Sequence, residues 1–261
     1  MQDRHINRFK YFQEQCYTTE KYVIPFIKEV TPISNITSVL EIGCGEGGNM
    51  KPFLDMGCKV TGVDLSKGKI ENAHKFFKGH KHISNLNLIC EDIYNIDNLG
   101  KFDLIITRDV LEHIHNQKEF LDYVKKFLKN SGKFFVGFPP WLSPFGGHQQ
   151  MCESKVLSKL PYFHLLPTPL YQSILKIFGE KEDKIKGLLE TKTTGITIER
   201  FEKIVKKTGY KIDKKILYLI NPNYEIKFGL KPKEQLKPFS LLPFIRDFFT
   251  TTIYYLISLD L

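Results

Sequence analysis

Apolar positions along the chain recur at two different spacings. Short apolar runs at 39–42, Lys59–Val63, 87–90, 102–107 and 133–138 have the length of buried strands. Between them the spacing becomes helical. A helix is predicted over 46–56. A second carries Ile70, Ala73, His74 and Phe77 behind Ser66 as N-cap. A third over 116–129 shows Phe120, Leu121, Val124, Phe127 and Leu128 on one side with lysines opposite, and Ser131-Gly132 is expected to stop it. Strands separated by helices of this length predict an α/β fold with a doubly wound, mostly parallel sheet. In such sheets ligands bind beyond the carboxyl ends of the strands.

Both ends of this alternation are elaborated. Upstream, Phe9, Phe12, Cys16, Val23, Phe26, Ile27 and Val30 keep helical spacing over 5–30. Downstream the rhythm breaks at 139–195, which holds six prolines from Pro139 to Pro169 together with Trp141, Phe145, Tyr162, Phe163 and Tyr171. A long irregular interruption in a compact domain is usually functional, so this segment is read as a substrate cap with a short amphipathic helix at 170–178. Helical spacing resumes at 197–208 and ends at Gly209, and two further strands are expected at 210–221 and 251–259.

The 261 residues suit one α/β domain with an elaboration. Five cysteines without a C-x-x-C pair argue against a disulfide framework and a structural zinc site. The net charge of +9 comes from lysines spread over the whole chain, which reads as solvated helix faces and disfavours a nucleic-acid partner. No apolar signal region stands at the N-terminus, so cytoplasmic residence is expected. Residues 239–261 are very apolar, but Pro243, Arg246 and Asp247 interrupt them. A spanning helix needs about 20 residues with few or no charges. The segment is therefore expected not to span a membrane, and peripheral membrane contact stays open.

The chemistry centres on residues 39–45, Val-Leu-Glu-Ile-Gly-Cys-Gly, followed by Gly47 and Gly48. A strand running into such a turn lets a bulky ligand approach the backbone. Asp64 ends the next strand, about 20 residues past the first glycine, where a nucleotide-binding unit holds ribose hydroxyls. Gly43, Gly45 and Gly48 also satisfy the dinucleotide fingerprint, which leaves a nicotinamide-dependent oxidoreductase as an alternative. Glu41 decides against it, because a carboxylate two positions before the first glycine repels a pyrophosphate.

The run from Glu41 to Gly47, Glu-x-Gly-x-Gly-x-Gly, resembles the first motif of class I S-adenosylmethionine (SAM) methyltransferases. Glu91-Asp92-Ile93 resembles the family's adenine-contacting segment. Asp109-Val110-Leu111-Glu112-His113 resembles a signature frequent in the type 11 superfamily that includes ubiquinone-pathway O-methyltransferases. The resemblance covers 39–138. It implies a Rossmann-like sheet of seven strands whose last strand is inserted antiparallel. It also implies a helical segment at 1–35 closing over the cofactor, a SAM-binding core at 36–138, the cap at 139–195, and the end of the core at 196–261. SAM is the implied cofactor and S-adenosylhomocysteine its product. The implied cofactor residues are Glu41 near the sulfonium end, Gly43, Cys44 as a small spacer, Gly45, Gly47, Asp64 and Leu65. Asp92 and Ile93 at the adenine, Arg108 and Asp109, and Tyr17 from the N-terminal helices complete the set.

The acceptor is left open by these motifs. Phe138-Pro139-Pro140-Trp141 superficially resembles a motif of amino-methyltransferases, but Phe138 cannot accept an amine's hydrogen bond and the motif follows the fifth strand, not the fourth. Gly146-Gly147-His148-Gln149-Gln150 places an imidazole at the cap entrance, and histidine titrates close to neutrality. His148 is the first candidate for base or acceptor ligand and His113 the second. Asp109, Glu112 and His113 also resemble a divalent-metal arrangement of certain O-methyltransferases, with His115 or His148 as added ligands. The expected set nevertheless holds no metal. The resulting expectation is methyl transfer to a small-molecule or lipid-linked acceptor, oxygen favoured. A non-catalytic SAM-binding module is the alternative.

Overall fold

A computed structural model describes residues 7–260. The first six residues, which open the expected N-terminal segment, and Leu261 lie outside the described residues. Strands β1 (Ser38–Ile42), β2 (Lys59–Val63), β3 (Leu86–Ile89), β4 (Phe102–Arg108) and β5 (Leu128–Phe138) pair in parallel. Strand β8 (Thr252–Leu259) inserts antiparallel between β5 and β6 (Tyr210–Ile220). The two-residue β7 (Lys233–Glu234) adds an edge to the expected seven, giving the order β3-β2-β1-β4-β5-β8-β6-β7.

The apolar C-terminus becomes an interior strand. Ile253, Tyr254, Tyr255, Leu256 and Ile257 of β8 are each at most 1% exposed. Because side chains alternate across a sheet, Ile253, Tyr255 and Ile257 join Phe134, Val136 and Phe138 in the core on one face. Tyr254 and Leu256 join Phe135 in the core on the other. Among the described residues no helix is long and apolar enough to cross a membrane.

Helices α1 (Arg8–Thr18) and α2 (Ile24–Lys28) are joined by a π-helical turn, Thr19–Val23. Helix α1 lies on the glycine-rich turn, so closely that a Cβ at Gly48 would stand 2.6 Å from the Phe12 carbonyl. The glycine turn consumes residues that were predicted as helix. Instead of 46–56, α3 covers only Lys51–Asp55, because Gly43, Gly45 and Gly47 all hold positive φ before it. Ser66 does stand at the N-cap of α4 (Lys67–Phe76), but its hydroxyl caps nothing and its own N–H donates to Asp64 at 2.8 Å.

The helix predicted over 116–129 is shorter as well. Helix α5 (Gln117–Val124) passes through a 3-10 turn, Lys125–Phe127, directly into β5. Ser131-Gly132 therefore lies inside the strand and stops no helix. The register against β4 shifts between Phe102 and Leu104, and a Cβ at Gly132 would meet the Phe102 carbonyl at 2.9 Å. The glycine is required by that irregularity.

Residues 139–195 enclose a core of their own, made by Cys152, Leu157, Phe163, Tyr171, Leu175, Ile185 and Leu188. The predicted short helix is α6 (Thr168–Ile177). A second helix, α7 (Glu182–Thr194), escaped the pattern because its buried face ends on Thr191 and Thr194. Helix α8 (Ile198–Lys207) follows and Gly209, at φ +66°, ends it. Three short helices, α9 (Asn223–Phe228), α10 (Lys237–Ser240) and α11 (Ile245–Phe248), lie between β6 and β8.

Candidate active site

The turn after β1 is tied to the next strand, since the N–H groups of Gly43 and Cys44 donate to the Val63 carbonyl at 2.8 and 3.1 Å. Gly43 cannot be replaced without displacement. Its φ is +74°, and a Cβ would lie 2.5 Å from Val110. Cys44 points inward and is 2% exposed. Burial pushes its thiol well above the ordinary range, so it is a packing residue and no nucleophile.

A cavity of about 660 Å³ opens beyond the carboxyl ends of these strands. Its walls include Gly43, Asp64, Leu65, Asp92, Ile93 and Asp109 from the predicted cofactor set, with Lys69, Tyr94, Val110, His113 and Phe120 beside them. Asp64 holds the turn in place. One carboxylate oxygen accepts the Gly45 N–H at 2.8 Å and the other the Ser66 N–H at 2.8 Å. Lys69 Nζ stands 4.0 Å from Asp64. Asp92 accepts the Tyr94 N–H at 3.0 Å, which fixes the 3-10 turn beneath Ile93. Asp109 holds φ +56° and anchors its N–H on the Gly137 carbonyl at 2.8 Å.

Six predicted cofactor residues lie outside this lining: Cys44, Gly45 and Gly47 of the turn itself, and Tyr17, Glu41 and Arg108. Tyr17 donates to Glu225 at 3.1 Å and accepts from Lys21 at 2.8 Å. Its ring is thereby drawn toward α9 and away from the cavity wall. Glu41 is fully buried under the turn, where Asn49 donates to it at 2.7 Å and its other oxygen has no partner. Burial pushes its carboxyl up to about 8, against the lowering pull of Asn49 and of the Arg108 charge. Arg108 is likewise buried. It donates to Asn49 at 2.9 Å, to Thr19 at 3.4 Å and to Asn223. Glu41 and Arg108 therefore brace the turn from below, linking β1, β4, the N-terminal helices and α9. Asn49, Thr19 and Asn223 carry no sequence motif and were missed.

A second cavity, about 390 Å³, adjoins the first and shares His113 as a wall. Its other walls are His148, Met151, and Asp183, Lys184, Gly187, Leu188, Glu190 and Thr191 of α7. His148 stands at φ +56° with its ring 4.9 Å from that of His113, edge to face. Its Nε2 is 3.6 Å from Oε1 of Glu112. Glu112 is 1% exposed, and neither of its carboxylate oxygens receives a hydrogen bond. Burial lowers the His113 pKa from its ordinary value, more than Glu112 raises it.

The residues around His148 explain its neighbours. A Cβ at Gly146 would reach the Trp141 carbonyl at 2.4 Å, and one at Gly147 would strike His164 at 2.2 Å. Gln149 is fully buried and donates to the Pro144 carbonyl at 2.8 Å. The glycines and Gln149 thus pack the inserted segment, leaving His148 to face the cavity.

The metal alternative changes composition in three dimensions. Glu112, His113 and His148 bring one ligand atom each within 4.8 Å of one another, and Asp109 is not part of the group. Residues 111–113 form a 3-10 turn after the left-handed Asp109, so the helical face that would have gathered Asp109, Glu112 and His113 does not form. His115 lies elsewhere, paired with Glu190 at 3.4 Å.

Residues 40–136 match the family model described as a methyltransferase domain. The segment is a class I SAM-dependent methyltransferase domain. Over 109 residues the chain is 35% identical to the mitochondrial ubiquinone biosynthesis O-methyltransferase of Dictyostelium discoideum, covering 38% of this chain and 34% of that one. Over 129 residues it is 33% identical to the ubiquinone biosynthesis O-methyltransferase of Bartonella quintana, covering 46% and 49%. The chain thus spans about a third to a half of the length of these curated relatives. A SAM-dependent methyltransferase from Clostridium acetobutylicum superposes with a TM-score of 0.58 at 16% identity, covering 97% of this chain and 98% of that one. That likeness extends the methyltransferase fold to nearly the whole chain.

SAM is the cofactor of this family, and the domain's first cavity suits it chemically. The turn has φ values and close contacts that exclude side chains, and Asp64 offers anionic acceptors at the end of β2.

Proposed function

We propose that this protein transfers a methyl group from SAM to a hydroxyl oxygen of a small or lipid-linked acceptor. The observation that carries the reading is His113 standing as the common wall of two cavities, with His148 and Glu112 beside it. The first cavity is the cofactor's seat and the second the acceptor's. SAM supplies an electrophilic methyl on a sulfonium, so the protein's part is alignment, exclusion of water and handling of one proton. Gly43, Gly45, Asp64, Leu65, Asp92, Ile93 and Asp109 hold the cofactor, with Asp64 accepting from the ribose and Asp92 from the adenine. Residues 139–195 cover the acceptor. The imidazole of His148 takes the acceptor's hydroxyl proton, and the buried Glu112 carboxylate stabilises the imidazolium that results. Oxygen is the chosen acceptor atom because the relatives named above are O-methyltransferases. No metal is part of this proposal.

Cytoplasmic residence belongs to the same reading, and fractionation of cells carrying the tagged chain checks it. The decisive experiment incubates the protein with methyl-labelled SAM and a cell extract, then separates lipid, polar small-molecule, protein and RNA fractions, with His148→Ala alongside. Label in the lipid or small-molecule fraction that His148→Ala abolishes supports the proposal. Label in protein or RNA overturns the acceptor class. SAM binding without any label supports a non-catalytic binding module instead.

A further inference from the structure

The segment between α9 and β8 reverses the usual polarity of a surface loop. Two of its charged residues are turned inward, with Arg246 8% exposed and Asp247 fully buried. Arg246 donates to Glu199 at 2.9 Å and Glu202 at 2.8 Å, both on α8. Asp247 accepts the Ile198 N–H at 3.1 Å, and Gln235 donates to the Arg246 carbonyl at 2.7 Å. These bonds lock the segment to the core by its polar groups. Its apolar groups are left outside, with Leu241 78% and Phe244 63% exposed, and Leu236, Leu242 and Ile245 about half exposed. Phe244 also holds φ +64°, a left-handed conformation that is strained for a bulky residue. Its N–H donates to Glu199 at 2.8 Å, which holds the backbone in place while the side chain stays largely in water.

The border of this patch is basic. Lys231, Lys233 and Lys237 are exposed, against Glu234 as the exposed acid of 229–249. We propose that residues 229–249 form a docking surface for an anionic lipid bilayer. Leucine and phenylalanine side chains enter the boundary of the acyl chains while the lysine ammonium groups meet headgroup phosphates. A second copy of the chain suits the surface less well, since a two-fold contact brings the same lysines face to face. The segment also adjoins residues 139–195, as Tyr162 donates to the Phe248 carbonyl at 2.8 Å. If the acceptor is lipid-linked, as proposed above, docking brings it beside residues 139–195, which supply most of the second cavity's walls. Docking itself does not depend on that reading.

The test is sedimentation of the full chain with phosphatidylcholine vesicles, with and without phosphatidylglycerol, read without cofactor or turnover. The chain is expected to sediment with the anionic vesicles and to be released by salt. Leu241→Asp, at an exposed position, should weaken binding at least tenfold, and Lys233→Glu with Lys237→Glu about tenfold, with circular dichroism unchanged. Equal binding by both variants and the unsubstituted chain, or no binding to either vesicle, overturns the proposal. A concentration-dependent dimer that Leu241→Asp abolishes, without vesicle binding, assigns the surface to a second copy instead. Because binding is read independently of methyl transfer, a catalytically inactive chain that still sediments would leave this inference standing.

Discussion

Glu112 and His148 meet across the boundary between the methyltransferase core and the inserted segment, Oε1 to Nε2 at 3.6 Å. The carboxylate is buried without a hydrogen bond to either oxygen, an arrangement that is costly unless a cation or donor completes it. An imidazolium formed by proton transfer would do so.

Replacing His148 with Ala is therefore expected to lower kcat about 100-fold or more, the usual contribution of a positioned base. Affinity for S-adenosylhomocysteine should stay unchanged, because His148 lines only the second cavity. Glu112→Gln should lower kcat, since the imidazolium formed on proton transfer loses its counter-charge. An unchanged kcat of Glu112→Gln would remove the proposed role of the carboxylate.

Asp64→Ala is expected to weaken S-adenosylhomocysteine binding at least tenfold through loss of ribose hydrogen bonds. Asp64 also accepts the Gly45 and Ser66 N–H groups, so some loss of thermal stability should accompany it. Calorimetry beside a melting curve separates the two effects. Tyr17→Phe is the companion control, expected to leave affinity unaltered because Tyr17 is engaged with Glu225.

Glu41 sets a pH dependence of stability. Burial raises its carboxyl from 4.5 to about 8, so over that interval the folded state keeps a proton that the unfolded state has released. Stability contributed by this group is complete below the unfolded value and is lost as pH rises through the folded one. The Glu41→Gln variant lacks this loss. Between about pH 6 and about pH 9 its Tm should gain on the unsubstituted protein by about 2 °C or more. A difference that stays flat over the range would show that Glu41 is already ionised in the fold.

Gly147→Ala tests how His148 is aimed. A Cβ there would lie 2.2 Å from His164, so either His164 or the 146–148 backbone must move. Overpacking of this kind costs about 1–3 kcal/mol. The variant is expected to lose stability and kcat together while binding S-adenosylhomocysteine normally. Normal turnover would mean that the shift is absorbed by His164 alone.

The half of the site proposed to hold the cofactor is legible in the sequence. Gly43, Asp64, Asp92 and Asp109 each stand within a few residues of a strand's carboxyl end, so identifying the strands places them around one point. Glu41 and Arg108 are legible as motif letters but not as braces under the turn. Their links run through Asn49, Thr19 and Asn223, residues from separate parts of the chain that no local pattern connects. Helix α7 is hidden for a different reason, because threonines occupy half of its buried face.

The sequence by itself determined the sheet, the glycine turn and the family of the cofactor, because turn chemistry and hydrophobic period are written within a few neighbouring residues. Tertiary structure alone decided the side proposed for the acceptor. It exchanged Asp109 for His148 beside Glu112 and His113 and shared His113 between two cavities. It also turned Arg246 inward while Leu241 faced out. Those outcomes depend on how segments far apart in the chain pack together, and packing is set by shape and burial over the whole fold.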